Sequence, residues 1–300
     1  MNRLLAPLAI LTAVIFGLTA TVARAQDAQA NVEALLAADR AFSAAAAGVP
    51  TPADALAAMF DSEVVLPGGP ALTVGREPAL ALFRAAPAWQ SGTVSWRPVR
   101  GGVSADGTQG FTYGYLTVGA GDPARRERKY LAYWVRRPEG WRVAAYRQIP
   151  REAGAPTAGT HAPSLPAFIA TPDPDPAVTQ RHQASLAAAE QAFSDRAQAV
   201  GLAPAFREYG RADAVNLGTP GAAFVPGADT VASAMDNRAP PSPVRWSTER
   251  SIVASSGDLG VSLGLIRLNS PPTDGSPGAI AFFTIWKRDT PDGEWRYIAE

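Results

Sequence analysis

The chain has no cysteine and only two histidines in 300 residues. No disulfide framework, thiolate nucleophile or sulfur-rich metal site can be built, and two histidines do not make a histidine-rich zinc centre. His161 falls in a proline-rich stretch and His182 at the start of a helical segment, so both are expected to face solvent. An excess of charge is also lacking. The 27 basic residues balance 27 acidic ones, which gives a nucleic-acid or anionic-membrane partner no global electrostatic support. There is no phosphate-cradling glycine loop of the P-loop or dinucleotide type. No metal and no cofactor is expected from these residues.

Residues 1–25 form a separate unit. Arg3 precedes an apolar run over residues 4–20 that Pro7 and Gly17 interrupt, and Ala23-Arg24-Ala25 has the small-x-small pattern of a cleavage site. The expectation is a signal peptide removed after Ala25, leaving a periplasmic or secreted protein with no membrane contact. Nothing later in the chain is apolar for long enough to span a bilayer. An exported chain without disulfides must be stable through its cores alone, and 47% hydrophobic residues over this length suffice for two domains.

What is present is a long repeat. Trp96 and Trp246, Gly107 and Gly257, Gly110 and Gly260, and Gly114 and Gly264 each lie 150 positions apart. Trp134 and Trp141 match Trp286 and Trp295 at offsets of 152 and 154, so the insertions fall in the last turns, where loops tolerate them. A period this long predicts two tandem domains rather than a solenoid. Each copy reads as helix, short helix, strand, helix and a four-strand antiparallel meander over residues 94–143 and 244–298. Domain one is expected over residues 26–150, with a first helix from near Asn31 ended by a left-handed Gly48 and a second opened by Thr51-Pro52. Domain two is expected over residues 180–300, its first helix starting at Ser185. Residues 151–179, with Thr171-Pro172-Asp173-Pro174-Asp175-Pro176, read as an extended linker that leaves the domains free in orientation.

Several shared stretches carry a resemblance to a known family. They are Ala38-Asp39-Arg40-Ala41-Phe42-Ser43 with Ala189-Glu190-Gln191-Ala192-Phe193-Ser194, the Gly75-Arg76-Glu77 helix entry, Ser104-Ala105-Asp106-Gly107 with Ser255-Ser256-Gly257-Asp258, and the spaced tryptophans of both meanders. Both halves resemble the nuclear transport factor 2-like superfamily, the cone fold of ketosteroid isomerase, scytalone dehydratase and SnoaL-like cyclases, and most closely an uncharacterised exported bacterial branch. The resemblance implies an α+β chain of tandem cone-shaped domains, each with three N-terminal helices on a curved, mainly antiparallel sheet. It also implies an apolar pocket on the concave side and pairing through the outer sheet face. Independently, Phe282, Thr284 and Trp286 share one strand face while Phe283 and Ile285 share the other. Both faces are apolar, which predicts a sheet covered on both sides and an intramolecular pseudo-dimer.

Asp39 lies three after Leu36 and three before Phe42, on the apolar stripe of the first helix, and Glu190 occupies the matching place. A desolvated carboxylate there can act as general acid or base, or serve structurally by pairing with Arg142 or Arg147. Trp96, Tyr113, Tyr115, Tyr130 and Trp134 are candidate ligand-contacting aromatics of domain one, with the paired tryptophans also readable as core. Gly260-Val261-Ser262-Leu263-Gly264 matches G-x-S-x-G, but Ser262 falls mid-strand, where no nucleophile elbow forms. Arg125-Arg126-Glu127-Arg128-Lys129 is the one basic cluster, readable as a soluble hairpin end or as an anion site. The leading functional reading is a binder of a small apolar molecule or peptide in the cone of domain one. The alternatives are a cofactor-independent isomerase, lyase or hydrolase using Asp39 or Glu190, and a non-catalytic interaction module.

Overall fold

Residues 8–121, 126–151, 161–235, 238–270, 272–273 and 275–300 are described by a computed structural model, with side chains from Gln26 onward. The expected leader and cleavage site thus lie outside the described side chains. Helix α1 (Leu8–Ala45) is followed by α2 (Pro52–Met59), strands β1 (Phe60–Gly68) and β2 (Ala71–Val74), and α3 (Arg76–Ala85). The meander then runs through β3 (Thr93–Val103), β4 (Gln109–Gly119), β5 (Arg126–Arg137) and β6 (Gly140–Pro150). The second half repeats the order with α4 (Pro176–Val200), α5 (Leu202–Tyr209), β7 (Gly210–Asn216), β8 (Val225–Pro226) and α6 (Ala228–Ala234). It closes with β9 (Val244–Val253), β10 (Leu259–Leu268), β11 (Ala279–Lys287) and β12 (Arg296–Ala299). Two six-stranded mixed sheets result, in the orders β2-β1-β6-β5-β4-β3 and β8-β7-β12-β11-β10-β9.

Local chemistry explains these boundaries. Thr51 caps α2 by accepting the Asp54 backbone N–H at 3.2 Å, with Pro52 at the first helical position. At the end of α1 a short 3-10 turn over Ala46–Gly48 replaces the expected left-handed glycine. Helix α4 starts at Pro176, well before Ser185, because Asp175 caps it by accepting from the Ala177 N–H at 2.8 Å. Sequence patterning missed β2 and β8, short edge strands folded back on β1 and β7. Gly114 and Gly264 recur for a common reason. A Cβ on either would lie 2.0 Å from a carbonyl of the neighbouring strand, that of Arg97 or Ser247, beside the bulge each meander carries there.

Alternation along the strands divides the side chains between two environments. On each concave face, helices close over a core holding Trp96, Tyr130 and Trp134 in the first repeat and Trp246, Phe282 and Trp286 in the second. The opposite faces pack against each other through Phe111, Leu131 and Tyr133 from one sheet and Val261, Phe283 and Ile285 from the other. The two repeats are therefore a pseudo-dimer within one chain, joined by a continuous apolar core. Polar contacts pin its rim. Asp106 accepts from the Ser256 N–H at 3.0 Å, and Asp258 accepts from the Ala105 N–H at 3.0 Å, so equivalent turns clasp each other.

The connector is not a free tether. From His161 onward its backbone donates to β3, with His161 bonded to Val99 at 2.9 Å and Ser164 to Gly101 at 2.9 Å. Lys287 of β11 reaches back to the Ser164 hydroxyl at 2.9 Å, which ties the connector to both repeats. The relative orientation of the cones is thereby set.

Candidate functional site

In each cone a buried carboxylate holds a tryptophan. Asp39, 0% exposed, accepts from Trp96 Nε1 at 2.6 Å and from the Tyr130 hydroxyl at 2.8 Å. One helical turn on, Ser43 binds the backbone N–H of the same Trp96 at 2.8 Å. Glu190, 1% exposed, repeats the grip on Trp246 Nε1 at 2.7 Å, with Ser194 taking the Trp246 N–H at 2.9 Å. The shared Ala-x-x-Ala-Phe-Ser stretch is thus a clamp, whose acid and serine meet one strand residue because they sit four apart on a helix. Burial pushes the carboxyls of Asp39 and Glu190 up, against the hydrogen bonds that pull them down. No ion pair reaches Asp39 among the described residues; Arg142 instead covers the Phe42 ring at 5.7 Å.

Beyond the clamp the cones diverge. Around Asp39 the aromatics pack together, Phe42 on Trp134 at 6.1 Å and Tyr130 on Tyr146 at 6.2 Å between centroids. In the second cone strand register puts Phe282 where the first has Tyr130, opposite Gly264 and Gly114 respectively. Glu300 stands where the first has Tyr146, directly after Ala299 and Ala145, which occupy matching rungs of β12 and β6. There a cavity of about 180 Å³ opens beside Glu190, walled by Phe206, Met235, Phe282 and Ile266, with Glu300 also facing it.

Glu190 and Glu300 differ in how they are held. Trp246, Trp286 and Ser262 all donate to Glu190, Trp286 Nε1 at 2.8 Å from Oε2. Glu300 receives the Asn216 amide on Oε1 at 2.8 Å. Burial, reinforced by the neighbouring Glu190 charge and opposed by the Asn216 hydrogen bond, lifts its carboxyl to about 7. Two acids that share an apolar cavity resist ionising together. Ser262, the G-x-S-x-G serine, is spent on Glu190 inside β10, and its counterpart Thr112 accepts from Trp134 Nε1 at 2.9 Å.

The aromatics expected to contact ligand fall into two groups. Trp96, Tyr130 and Trp134 do surround Asp39 in the first cone. Tyr113 and Tyr115 lie on the opposite face, within the core between the sheets, where both meet Phe224 at 5.0 and 5.2 Å. They share a strand face as the alternation requires, but Thr112 and Gly114 take the concave side. His161 is exposed and bonds the Tyr113 hydroxyl at 2.7 Å, and His182 is half-buried beside Arg288 at 2.9 Å; neither enters a cone. Glu300 escaped the sequence reading, because a bulge between Ile285 and Trp286 decides which way the last residues of β12 point.

The molecule is thus an α+β pair of cones with an acid in the heart of each and an open cavity in the second. No protein-family model and no curated protein matches the chain. Among solved structures it is similar to an NTF2-like protein with a cystatin-like fold from Novosphingobium aromaticivorans, at 17% identity over 50% of this chain and 94% of that one, TM-score 0.31. It is also similar to a ketosteroid isomerase-like protein from Erwinia carotovora atroseptica, at 15% identity over 42% and 94%, TM-score 0.29. These likenesses do not reach the level at which a relative's chemistry could be carried over.

Proposed function

We propose that this is an exported protein of tandem nuclear transport factor 2-like cones, and that it binds a small, largely apolar molecule in the second cone. The observation that carries the reading is that the Glu300 carboxyl faces an apolar cavity, where burial lifts it to about 7. A dry cavity of roughly 150 Å³ holds one benzene-sized molecule. A space of about 180 Å³ accordingly suits a compact monocyclic compound rather than a peptide. Below neutral pH the protonated Glu300 donates a hydrogen bond to a ligand carbonyl or hydroxyl. Asp39 and Glu190 hold tryptophans in place.

A ligand-observed NMR screen of monocyclic aromatic ketones, aldehydes and phenols tests this. Binding should weaken as pH rises through about 7, and Glu300→Gln should abolish that pH dependence. If no compound binds, or if binding ignores both pH and Glu300→Gln, the second cone is not the site. Export would show as a secreted chain whose mass begins at Gln26.

The same carboxyl supports a second reading, a cofactor-independent isomerase or lyase. A group with a pKa near the working pH can both take and return a proton. Deuterium exchange α to the carbonyl of a bound ketone in D2O, lost in Glu300→Gln, would separate turnover from binding.

A further inference from the structure

The first cone carries a groove of its own at the start of β5. Leu66, Phe83, Trp89 and Tyr146 form its apolar wall, Arg126, Arg128, Arg147 and Gln148 are its polar lining, and its volume is about 450 Å³. Arg128 reaches it because alternation along β5 puts residues 128, 130 and 132 on the concave face. The space is within the range of small-molecule pockets, and its mixed lining differs from the apolar cavity beside Glu190.

Two of its polar atoms have no partner. Arg128 Nε is a buried donor and Gln148 Oε1 a buried acceptor, and neither makes a hydrogen bond. Folded proteins rarely leave such atoms orphaned. Among the described residues no carboxylate forms an ion pair with Arg128. Burial pushes its guanidinium down, and no carboxylate counters this. A cation held against apolar walls without a counter-ion is costly, and an anion arriving from solution would offset that cost.

At the Arg128 position the second repeat has no cation. Ile280, 55% exposed, stands where the first has Arg128, since each pairs with the matching residue of the preceding strand, Ile266 or Leu116. The cationic groove therefore belongs to one repeat and is not a feature of the shared scaffold.

The geometry points to a binding site for a small amphipathic anion at the mouth of the first cone. Its carboxylate or other anionic head meets Arg128, an adjacent hydroxyl or amide N–H meets Gln148, and its apolar tail lies along Leu66, Phe83 and Trp89. An anionic head takes a charge-assisted hydrogen bond from the guanidinium, which an uncharged head of the same size cannot match. Glu300 does not line this groove, and its charge reaches it only through Arg147.

Isothermal titration calorimetry on the full chain decides the matter, with 2-hydroxydecanoate as probe and 1-decanol as its uncharged control. The hydroxy acid should bind one site, at least roughly tenfold tighter than the alcohol and more weakly at higher salt. Arg128→Gln should lower that affinity at least roughly tenfold. Leu82→Glu, which sets a like charge at a rim position 51% exposed and so leaves the core untouched, should lower it as well. Glu300→Gln, which removes a negative charge near Arg147, should not lower it. Absence of saturable binding, equal binding of the alcohol, wild-type affinity in both first-cone variants, or loss in Glu300→Gln would each overturn the assignment.

Discussion

The two cones share a clamp and differ in what surrounds it. Acid, serine and tryptophan recur as Asp39, Ser43 and Trp96 and as Glu190, Ser194 and Trp246, with the same hydrogen bonds. The walls do not recur. Phe60 beside Val143 in the first cone becomes Gly210 beside Tyr297 in the second, and the exchange is compensated, since a Cβ on Gly210 would lie 2.5 Å from the Tyr297 ring. Tyr130 and Tyr146 give way to Phe282 and Glu300, and space opens there. Residues that build the fold are held in common, while those that shape a chamber vary between copies, which is how one architecture can host unlike functions.

The comparison can be broken most severely through the core that joins the sheets. Phe283→Ala removes a fully buried ring between them and should cost about 3–5 kcal/mol. In urea, fluorescence from the tryptophans of both cones should still change in a single, earlier transition; separate transitions would mean that the halves are independent. Next in size is the clamp. Asp39→Ala strands the Trp96 and Tyr130 donors and should cost about 2–4 kcal/mol, whereas Glu190→Ala should cost less, because water in the adjoining cavity can reach the freed donors. Asp39→Asn, which keeps an acceptor, should fall between wild type and Asp39→Ala.

The pH dependence sharpens the contrast further. Glu300 is raised from 4.5 to about 7, so between those values the unfolded chain has lost a proton that the folded chain still holds. The contribution of Glu300 to stability should fall as pH rises through this window, by up to about 3 kcal/mol, and level off above it. Glu300→Gln should flatten that slope, leaving what Asp39 and Glu190 contribute through their own raised carboxyls, as chemical denaturation at pH 5 and pH 8 would show. The smallest effect is expected from Ser262→Ala, which deletes a hydrogen bond to Glu190 and one from Trp286, whose indole N–H keeps Glu190 as acceptor, at a cost of about 1 kcal/mol in the same assay.

Much of this architecture was legible in the residues. The 150-residue spacing of tryptophans and glycines marked the repeat, and the alternation of Phe282 with Phe283 marked a sheet buried on both sides. Asp39 and Glu190 were visible as acids on apolar stripes, though their partners were not, because Trp96 and Trp246 approach only once the meander folds under the helix. Alternation put Tyr113 and Tyr115 on one face without saying which. Glu300 depended on a bulge, and the groove at Arg128 on how α3 and the turn after it lie over β5 and β6. Pattern carried the periodic elements, and whatever hung on a single register shift or a distant contact was out of its reach.

The connector that bonds along β3 and receives Lys287 has one more effect. In a symmetric homodimer every substitution is imposed at both ends of the axis, so a mutation that empties one pocket empties its twin. Fusion of the copies lifts that constraint. Each half stays matched one to one with its partner at any dilution, yet one can keep its acid packed among aromatic rings while the other has a hollow and a proton where those two tyrosines would stand.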